Sequence, residues 1–280
     1  MSYDDPPIEE SLLDLFPFPV EVLPGASILS AMAASLARLP NSCPVILGNE
    51  FSVSRLAEEF DQSGAARWAP DVILERAARV SVDGFLADRL AELAGQHAES
   101  APLSGPTSVD VEAGPEGVFM EARVNARFGP DGVEFIDGLP RGPWPDDAGS
   151  EQTEPAGFLD ILTGEPFREC ALAYVPVAQT RPWEVFAHLC FGAWNECPEP
   201  AIHVALAQYW HERFGARIVT AHFDTVEFKV DRPVSNREDA MELAKQFYAY
   251  CPDIVDQGTG TIDSLAATLM GAKVWFFWWD

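Results

Sequence analysis

The chain has 280 residues, and its 18 Lys and Arg against 44 Asp and Glu give a net charge of −26. Such an acidic surface repels nucleic-acid phosphates and anionic membranes, so we expect neither as a partner. The charge either serves solubility alone, which we favour on the charge alone, or attracts a basic protein. The five cysteines form no CxxC pair, and neither a secretory signal nor a window of 18 apolar residues is found. These features predict a cytoplasmic protein with reduced thiols.

Residues 1–137 have the pattern of a small α/β domain. Apolar runs predict strands over 19–23 and 44–47, and helical periodicity predicts helices after Ser27 and over 52–61. The order strand, helix, strand, helix indicates a βαβα unit with a parallel strand pair.

Two further helices are predicted over 71–78 and 81–95. A hairpin is then predicted from strands 118–128 and 133–136, because residues 129–132 (Gly-Pro-Asp-Gly) favour a turn. Residues 138–157 are rich in Pro and Gly, and they are the predicted linker between two domains.

Residues 158–280 form the predicted C-terminal domain. Its predicted elements are a strand at 169–177, helices at 183–189 and 201–214, strands at 217–223 and 225–230, helices at 235–251 and 261–270, and a last strand at 274–279. Ser235 and Glu238 have the spacing of a capping box at the start of the third helix, residues 235–251. This βαββαβ order is typical of a ferredoxin-like α/β sandwich, with a four-stranded antiparallel sheet and helices on one face. The fold class predicted for the whole chain is therefore α/β (α+β).

Common catalytic motifs are absent from the sequence. It contains no GxxxxGK[ST] phosphate loop, no HExxH and no GxSxG, so no catalytic residue and no cofactor is assigned. Cys190 and Cys197 lie too far apart for the tight ligand pairs of structural zinc, and no metal is predicted.

Two polar segments are candidate binding sites. In residues 192–198, Trp194 could stack on a ligand and Asn195 could orient it, or both could stabilise the loop, which we favour. The second segment contains Cys251, Asp253 and Gln257. Cys251 follows a helix C-terminus, where the helix dipole disfavours a thiolate, so a nucleophilic role is not favoured.

The C-terminal part is rich in tryptophan, with six of the eight in the chain, and it ends in the aromatic run 275–279 before Asp280. Alternation places Trp275, Phe277 and Trp279 on one face of a strand and Phe276 and Trp278 on the other. A strand that is apolar on both faces is normally central and covered. The second face is therefore covered by the N-terminal domain, which we favour, or it binds a partner through residues such as Trp278.

Several motifs of the C-terminal part carry a resemblance to a known family. They are Phe191-Gly192-Ala193-Trp194-Asn195-Glu196-Cys197-Pro198, Trp210-x-x-Arg213-Phe214-Gly215-Ala216, Asp224-Thr225-Val226-Glu227, Tyr250-Cys251-Pro252-Asp253 with Gln257-Gly258, and Phe277-Trp278-Trp279-Asp280. In this order they resemble the bacterial domain of unknown function 4253 family over about residues 170–280. The resemblance implies a cytosolic bacterial protein, and it implies no activity and no site residue.

Three functions are consistent with these patterns. We favour a non-enzymatic protein-binding module, such as an immunity or antitoxin-like inhibitor of a basic partner. The alternative is a small-molecule hydrolase or other enzyme with a polar site near Asn195, Cys251, Asp253, Gln257 and Asp280. In a third hypothesis these polar residues form a buried scaffold network, and function lies elsewhere.

Overall fold

The computed structural model describes residues 6–62, 69–99, 133–150 and 152–280, and within them it contains a six-stranded mixed sheet. The chain divides into two compact units. The first unit comprises Met1–Val82, Gln152–Arg232 and Lys273–Trp278, and the second comprises Asp83–Glu151, Pro233–Ala272 and Trp279–Asp280. Both units combine segments from either side of the predicted linker at 138–157, so the expected division into 1–137 and 158–280 differs from the units of the structure.

The helices and strands have the following bounds. The helices are α1 Glu10–Leu13, α2 Ile28–Arg38, α3 Glu50–Gln62, α4 Pro70–Ala77, α5 Val82–Glu99, α6 Val185–Leu189, α7 Pro200–Phe214, α8 Arg237–Tyr250 and α9 Ile262–Leu269. The strands are β1 Val20–Leu23, β2 Cys43–Gly48, β3 Glu134–Ile136, β4 Leu139–Arg141, β5 Cys170–Val175, β6 Arg217–Ala221, β7 Thr225–Lys229 and β8 Val274–Trp278. These elements confirm the predicted α/β class.

The sheet of the first unit has the strand order β1-β5-β2-β6-β7-β8. Only β2 and β6 pair in parallel, through Ile46 and Thr220, and the other neighbours are antiparallel. All six residues of β2 are buried, as expected of a central strand with an unbroken apolar run.

The ferredoxin-like topology predicted for residues 158–280 is wrong. Strand β2, from the N-terminal part, lies between β5 and β6, so β5 does not belong to an antiparallel sheet with β6, β7 and β8. The parallel pair predicted within the N-terminal βαβα unit is also absent, because β5 lies between β1 and β2. Local apolar patterns identify strands, but they do not identify which strands pair.

Apolar side chains of two helices pack against the sheet. Ile28 and Met32 of α2 pack against Ile46, Leu172 and Val219 in one buried cluster. Elsewhere in this unit, Trp210 of α7 contacts Phe228, Trp275 and Phe277, with ring centroids 5.6–6.0 Å apart. Strand β8 is an edge strand, although its apolar pattern predicts a central one.

The second unit contains the hairpin β3–β4 together with α5, α8 and α9. Asp137 and Gly138, both with positive φ (56° and 76°), connect the two strands, and Asp-Gly is a preferred pair for such tight turns. The hairpin therefore extends into the predicted linker, and the partner strand predicted at 118–128 lies outside the described residues. Helix α8 is capped by Asn236, which accepts from the Asp239 amide at 2.9 Å, and not by the predicted Ser235.

No helix within the described ranges is long and apolar enough to span a membrane.

Candidate functional site

The outer face of edge strand β8 exposes two aromatic side chains. Phe276 is 48% exposed and Trp278 is partly exposed, whereas Trp275 and Phe277 on the other face are buried against Trp210. We call Phe276 and Trp278 the aromatic strip. The alternation predicted for this strand is confirmed over β8, but the second face is only partly covered.

Beside the aromatic strip, strand β7 carries a buried carboxylate. Glu227 is the cross-strand neighbour of Phe276 and is 1% exposed. Its Oε1 accepts from the Ala156 amide at 2.8 Å, and its Oε2 accepts from the Gly157 amide at 2.9 Å and from the Thr220 hydroxyl at 2.6 Å. Burial raises the pKa of Glu227 despite these bonds. The carboxylate therefore holds residues 156–157 against the sheet.

Two more side chains hold the same segment. The His222 Nε2 donates to the Gly157 carbonyl at 2.7 Å, and burial lowers the pKa of His222 to about 4, so the ring is neutral at pH 7. Lys229 forms an ion pair with Glu154 at 2.8 Å. Thr220, His222 and this role of Glu227 were not predicted from the sequence, in which the one signal is a charged residue within the apolar alternation of β7.

The loop that contains Trp194 and Asn195 has an unusual backbone. Cys190, Ala193 and Asn195 have φ of 51°, 71° and 43°, a region that non-glycine residues seldom occupy. The Trp194 ring is partly buried and lies edge-on to Phe191 at 5.0 Å, whereas Asn195 is exposed. The two candidates are thus neighbours on one strained loop of the first unit.

A cysteine of this loop lies beside a histidine of helix α7. The Cys197 Sγ lies 3.4 Å from the His203 Nε2, and both residues are buried. Burial lowers the pKa of His203 to about 3, so this imidazole stays neutral at physiological pH. A buried sulfur beside a neutral imidazole has the environment of a structural thiol, not of an activated nucleophile.

The second unit brings three predicted site residues together. Asp253 accepts from the Gln257 side-chain amide at 3.0 Å through Oδ1 and from the Asp280 backbone amide at 3.1 Å through Oδ2. Cys251, two residues before Asp253, is fully buried, and the backbone of Ile254–Thr259 forms a π-helical turn. Both oxygens of the Asp253 carboxylate are thus used within the chain.

A buried ion pair that the sequence did not indicate lies in the same unit. Asp263, 1% exposed, accepts from Arg141 at 2.6 and 3.0 Å and from the Gly142 amide at 3.1 Å. Burial acts to raise the pKa of Asp263, but the bonds from Arg141 and Gly142 outweigh it and hold this pKa below its usual value. Arg141 also borders an open cavity of about 420 Å³, whose other lining residues are Arg237, Glu238, Met241, Glu242 and Lys245.

Among the residues that the structure describes, no three His, Cys, Asp or Glu side chains are placed to hold a metal ion.

The fold and the aromatic strip define an α/β protein with a partly apolar edge strand on an acidic chain. Residues 173–280 match the family described as "Domain of unknown function (DUF4253)", which confirms the predicted resemblance of the C-terminal part. Comparisons with curated proteins and with solved structures gave no match. The matched segment includes β6, β7 and β8 but not β2, which separates β5 from β6 in the sheet.

Proposed function

We propose that this protein is a non-enzymatic binding module for a basic protein partner, in the manner of an immunity or antitoxin-like inhibitor. The observation that carries the proposal is the aromatic strip, because Phe276 is 48% exposed on an edge strand of a chain with net charge −26. Aromatic side chains are enriched among the residues that dominate binding energy at protein interfaces.

The charge of the chain favours a basic partner. Long-range attraction raises the encounter rate of oppositely charged proteins, and it weakens as salt screens the charges. None of the five cysteines is in a disulfide, which supports the proposal of a reducing, cytoplasmic location. The bacterial origin in this proposal rests on the family resemblance.

The geometry of the predicted polar residues supports a scaffold role over the enzymatic alternative. Asp253 has both oxygens engaged by Gln257 and by the Asp280 backbone, and Cys251 is buried. A general base or nucleophile must reach a substrate atom, and these groups face their own chain.

The binding proposal is tested by site-specific cross-linking in the cells that make the protein. A photoreactive phenylalanine analogue replaces Phe276, and a matched control carries it at Phe135, which is 53% exposed on β3 of the second unit. We expect position 276 to capture a basic protein that position 135 does not capture. Identical products from both positions would contradict the proposal.

The captured protein is then purified and titrated calorimetrically with the full chain at low and high salt. We expect the Kd to rise with NaCl, since opposite charges attract across the interface. Replacement of Phe276 by Ala is expected to raise the Kd about tenfold or more, as loss of a buried aromatic contact does at an interface centre. A Kd that is independent of salt would refute the role of charge.

A further inference from the structure

Residues 158–167 form a tight hairpin ahead of β5. Leu159 and Pro166 make an antiparallel bridge, and the Phe167 amide donates to the Phe158 carbonyl at 2.9 Å. Nearer the tip, the Asp160 amide donates to the Glu165 carbonyl at 2.9 Å, and the Gly164 amide donates to the Asp160 carbonyl at 2.8 Å. The backbone of this hairpin is therefore bonded along its length.

The tip of the hairpin is fixed by one carboxylate. The Asp160 Oδ1 accepts from the Leu162 amide at 2.9 Å, from the Thr163 amide at 2.8 Å and from the Thr163 hydroxyl at 3.1 Å. The bond from the Thr163 amide is the largest cause that holds the pKa of Asp160 below its usual value, and so the carboxylate is charged at pH 7. Aspartate commonly fixes turns in this way.

Two apolar side chains project from this ordered tip. Ile161 is 78% exposed and Leu162 is 73% exposed, the highest values among the large apolar side chains of the described residues. Exposed apolar groups on a preorganised turn favour binding, because association then costs no further entropy for ordering the turn.

The base of the hairpin is tied to the sheet. Phe158 and Phe167 pack against the buried cluster that includes Ile28 and Leu172, and the Gly25 amide donates to the Phe167 carbonyl at 3.0 Å. Directly before the hairpin, the Gly157 amide donates to Glu227, the cross-strand neighbour of Phe276. The aromatic strip and the hairpin are thus connected through one hydrogen-bonded segment.

The charge around the hairpin indicates which occupant it suits. Residues 152–169 carry four acidic side chains, Glu154, Asp160, Glu165 and Glu169, against the single base Arg168. A second copy of this chain, itself at −26, or an anionic membrane would be repelled. A basic protein with an apolar cleft has the complementary surface.

We propose that the 158–167 hairpin inserts Ile161 and Leu162 into an apolar cleft of the basic partner, whose rim pairs with Asp160 and Glu165. This inference rests on the proposed function and assigns it a second contact. The hairpin lies outside the matched family segment, residues 173–280, so it distinguishes this chain's partner from those of proteins that share only that segment.

The test compares two paired substitutions in the full chain. Ile161→Ser with Leu162→Ser removes the tip. As a control, Phe135→Ser with Ile136→Ser removes two adjacent exposed apolar side chains (53% and 47% exposed) on the β3–β4 hairpin. The protein cross-linked through position 276 is the titrant in both cases. We expect the tip variant to bind at least tenfold more weakly, the control variant to bind within about twofold of the parent, and both to keep the parent's Tm.

A third variant, Asp160→Ala, keeps both apolar side chains but removes the acceptor that orders the turn. We expect it to weaken binding by about three- to tenfold, since the turn must then be ordered on association and the pairing of Asp160 with the partner's rim is removed as well. If the tip variant binds like the parent while Phe276→Ala binds weakly, the hairpin inference is overturned and the proposed function stands.

The hairpin also has a test that does not depend on position 276. A photoreactive residue at Leu162 is cross-linked in the same cells, and any basic protein captured there is purified and titrated with the full chain. Binding to the parent that is at least tenfold tighter than binding to the Ile161→Ser, Leu162→Ser variant supports the inference, even if position 276 captures nothing. Capture of a lipid or of a second copy of the chain, or no capture, overturns it.

Discussion

Replacement of Asp263 by Asn tests whether the buried ion pair stabilises the second unit. Asp263 accepts two bonds from Arg141 and one from the Gly142 amide. Loss of one member of a buried pair costs about 3–5 kcal/mol when the remaining charge stays buried. The Arg141 side chain is 27% exposed and regains some hydration, so we expect a loss of about 2–3 kcal/mol in the free energy of unfolding.

A loss of that size raises the unfolding equilibrium constant about 30- to 150-fold and lowers the Tm by roughly 4–12 °C. Urea unfolding followed by circular dichroism measures the free energy directly. The matched control is Asp88→Asn, an exposed aspartate on α5 of the same unit, which we expect to change stability by less than about 0.5 kcal/mol.

A double-mutant cycle with Arg141→Gln isolates the pair. If the ion pair is the cause, the two single losses together exceed the loss in the double variant by about 1 kcal/mol or more. The reasoning is refuted if Asp263→Asn is as stable as Asp88→Asn, or if the losses simply add.

Three further predictions concern other buried contacts. Gly157→Ala would place a Cβ 2.3 Å from the Thr220 Cγ2 and should cost about 1–3 kcal/mol in a thermal melt. Gly95→Ala in α5, whose Cβ would meet no atom within 4 Å beyond the neighbouring helix backbone, should stabilise by about 0.5–1 kcal/mol. Equal effects of the two substitutions would contradict the packing argument. Glu227 and Asp263 should make opposite contributions to the pH dependence of stability. The folded-state pKa of Glu227 is raised, so its stabilising contribution is fully present below about pH 4.3 and is lost as the pH rises through the folded-state pKa. The folded-state pKa of Asp263 is lowered, so its contribution is present above about pH 3.9 and is lost as the pH falls through the folded-state pKa. Urea midpoints of the parent, Glu227→Gln and Asp263→Asn across this range check both signs, and parallel curves would refute them. Asp253→Ala removes the acceptor for Gln257 and for the Asp280 amide, and it should cost about 1–2 kcal/mol of stability. Asp280→Asn keeps its backbone donor and should melt at the same temperature as the parent. If Asp280→Asn were the more destabilising of the two, the scaffold role of Asp253 would be excluded.

The positions of the strands could be predicted from the sequence, but their pairing could not. The apolar run at 44–47 predicted a buried strand, and β2 is buried throughout. Its neighbours β5 and β6 lie more than 100 residues away in the chain, and no local pattern encodes that pairing. The ferredoxin-like topology failed for this reason, although each of its four strands exists.

The candidate site was also predictable from the sequence only in part. The alternation along β8 correctly separated Phe276 and Trp278 from Trp275 and Phe277. The exposure of Phe276 follows from the place of β8 at the edge of the sheet, which depends on every other strand pairing. Glu227 gave only a weak signal, because its acceptor role requires the amides of residues 156 and 157, which lie 71 and 70 positions earlier in the chain.

The sequence by itself determined the acidic charge, the α/β class, the positions of most helices and strands, and the resemblance confirmed over residues 173–280. These properties depend on composition and on periodicities of two to four residues, which are local. Only the tertiary structure decided that β2 separates β5 from β6, that Asp253 bonds to Gln257 and to the end of the chain, and that Ile161 and Leu162 project from a fixed turn. Each of these depends on contacts between distant residues, whose free energy is gained only once the whole chain has packed.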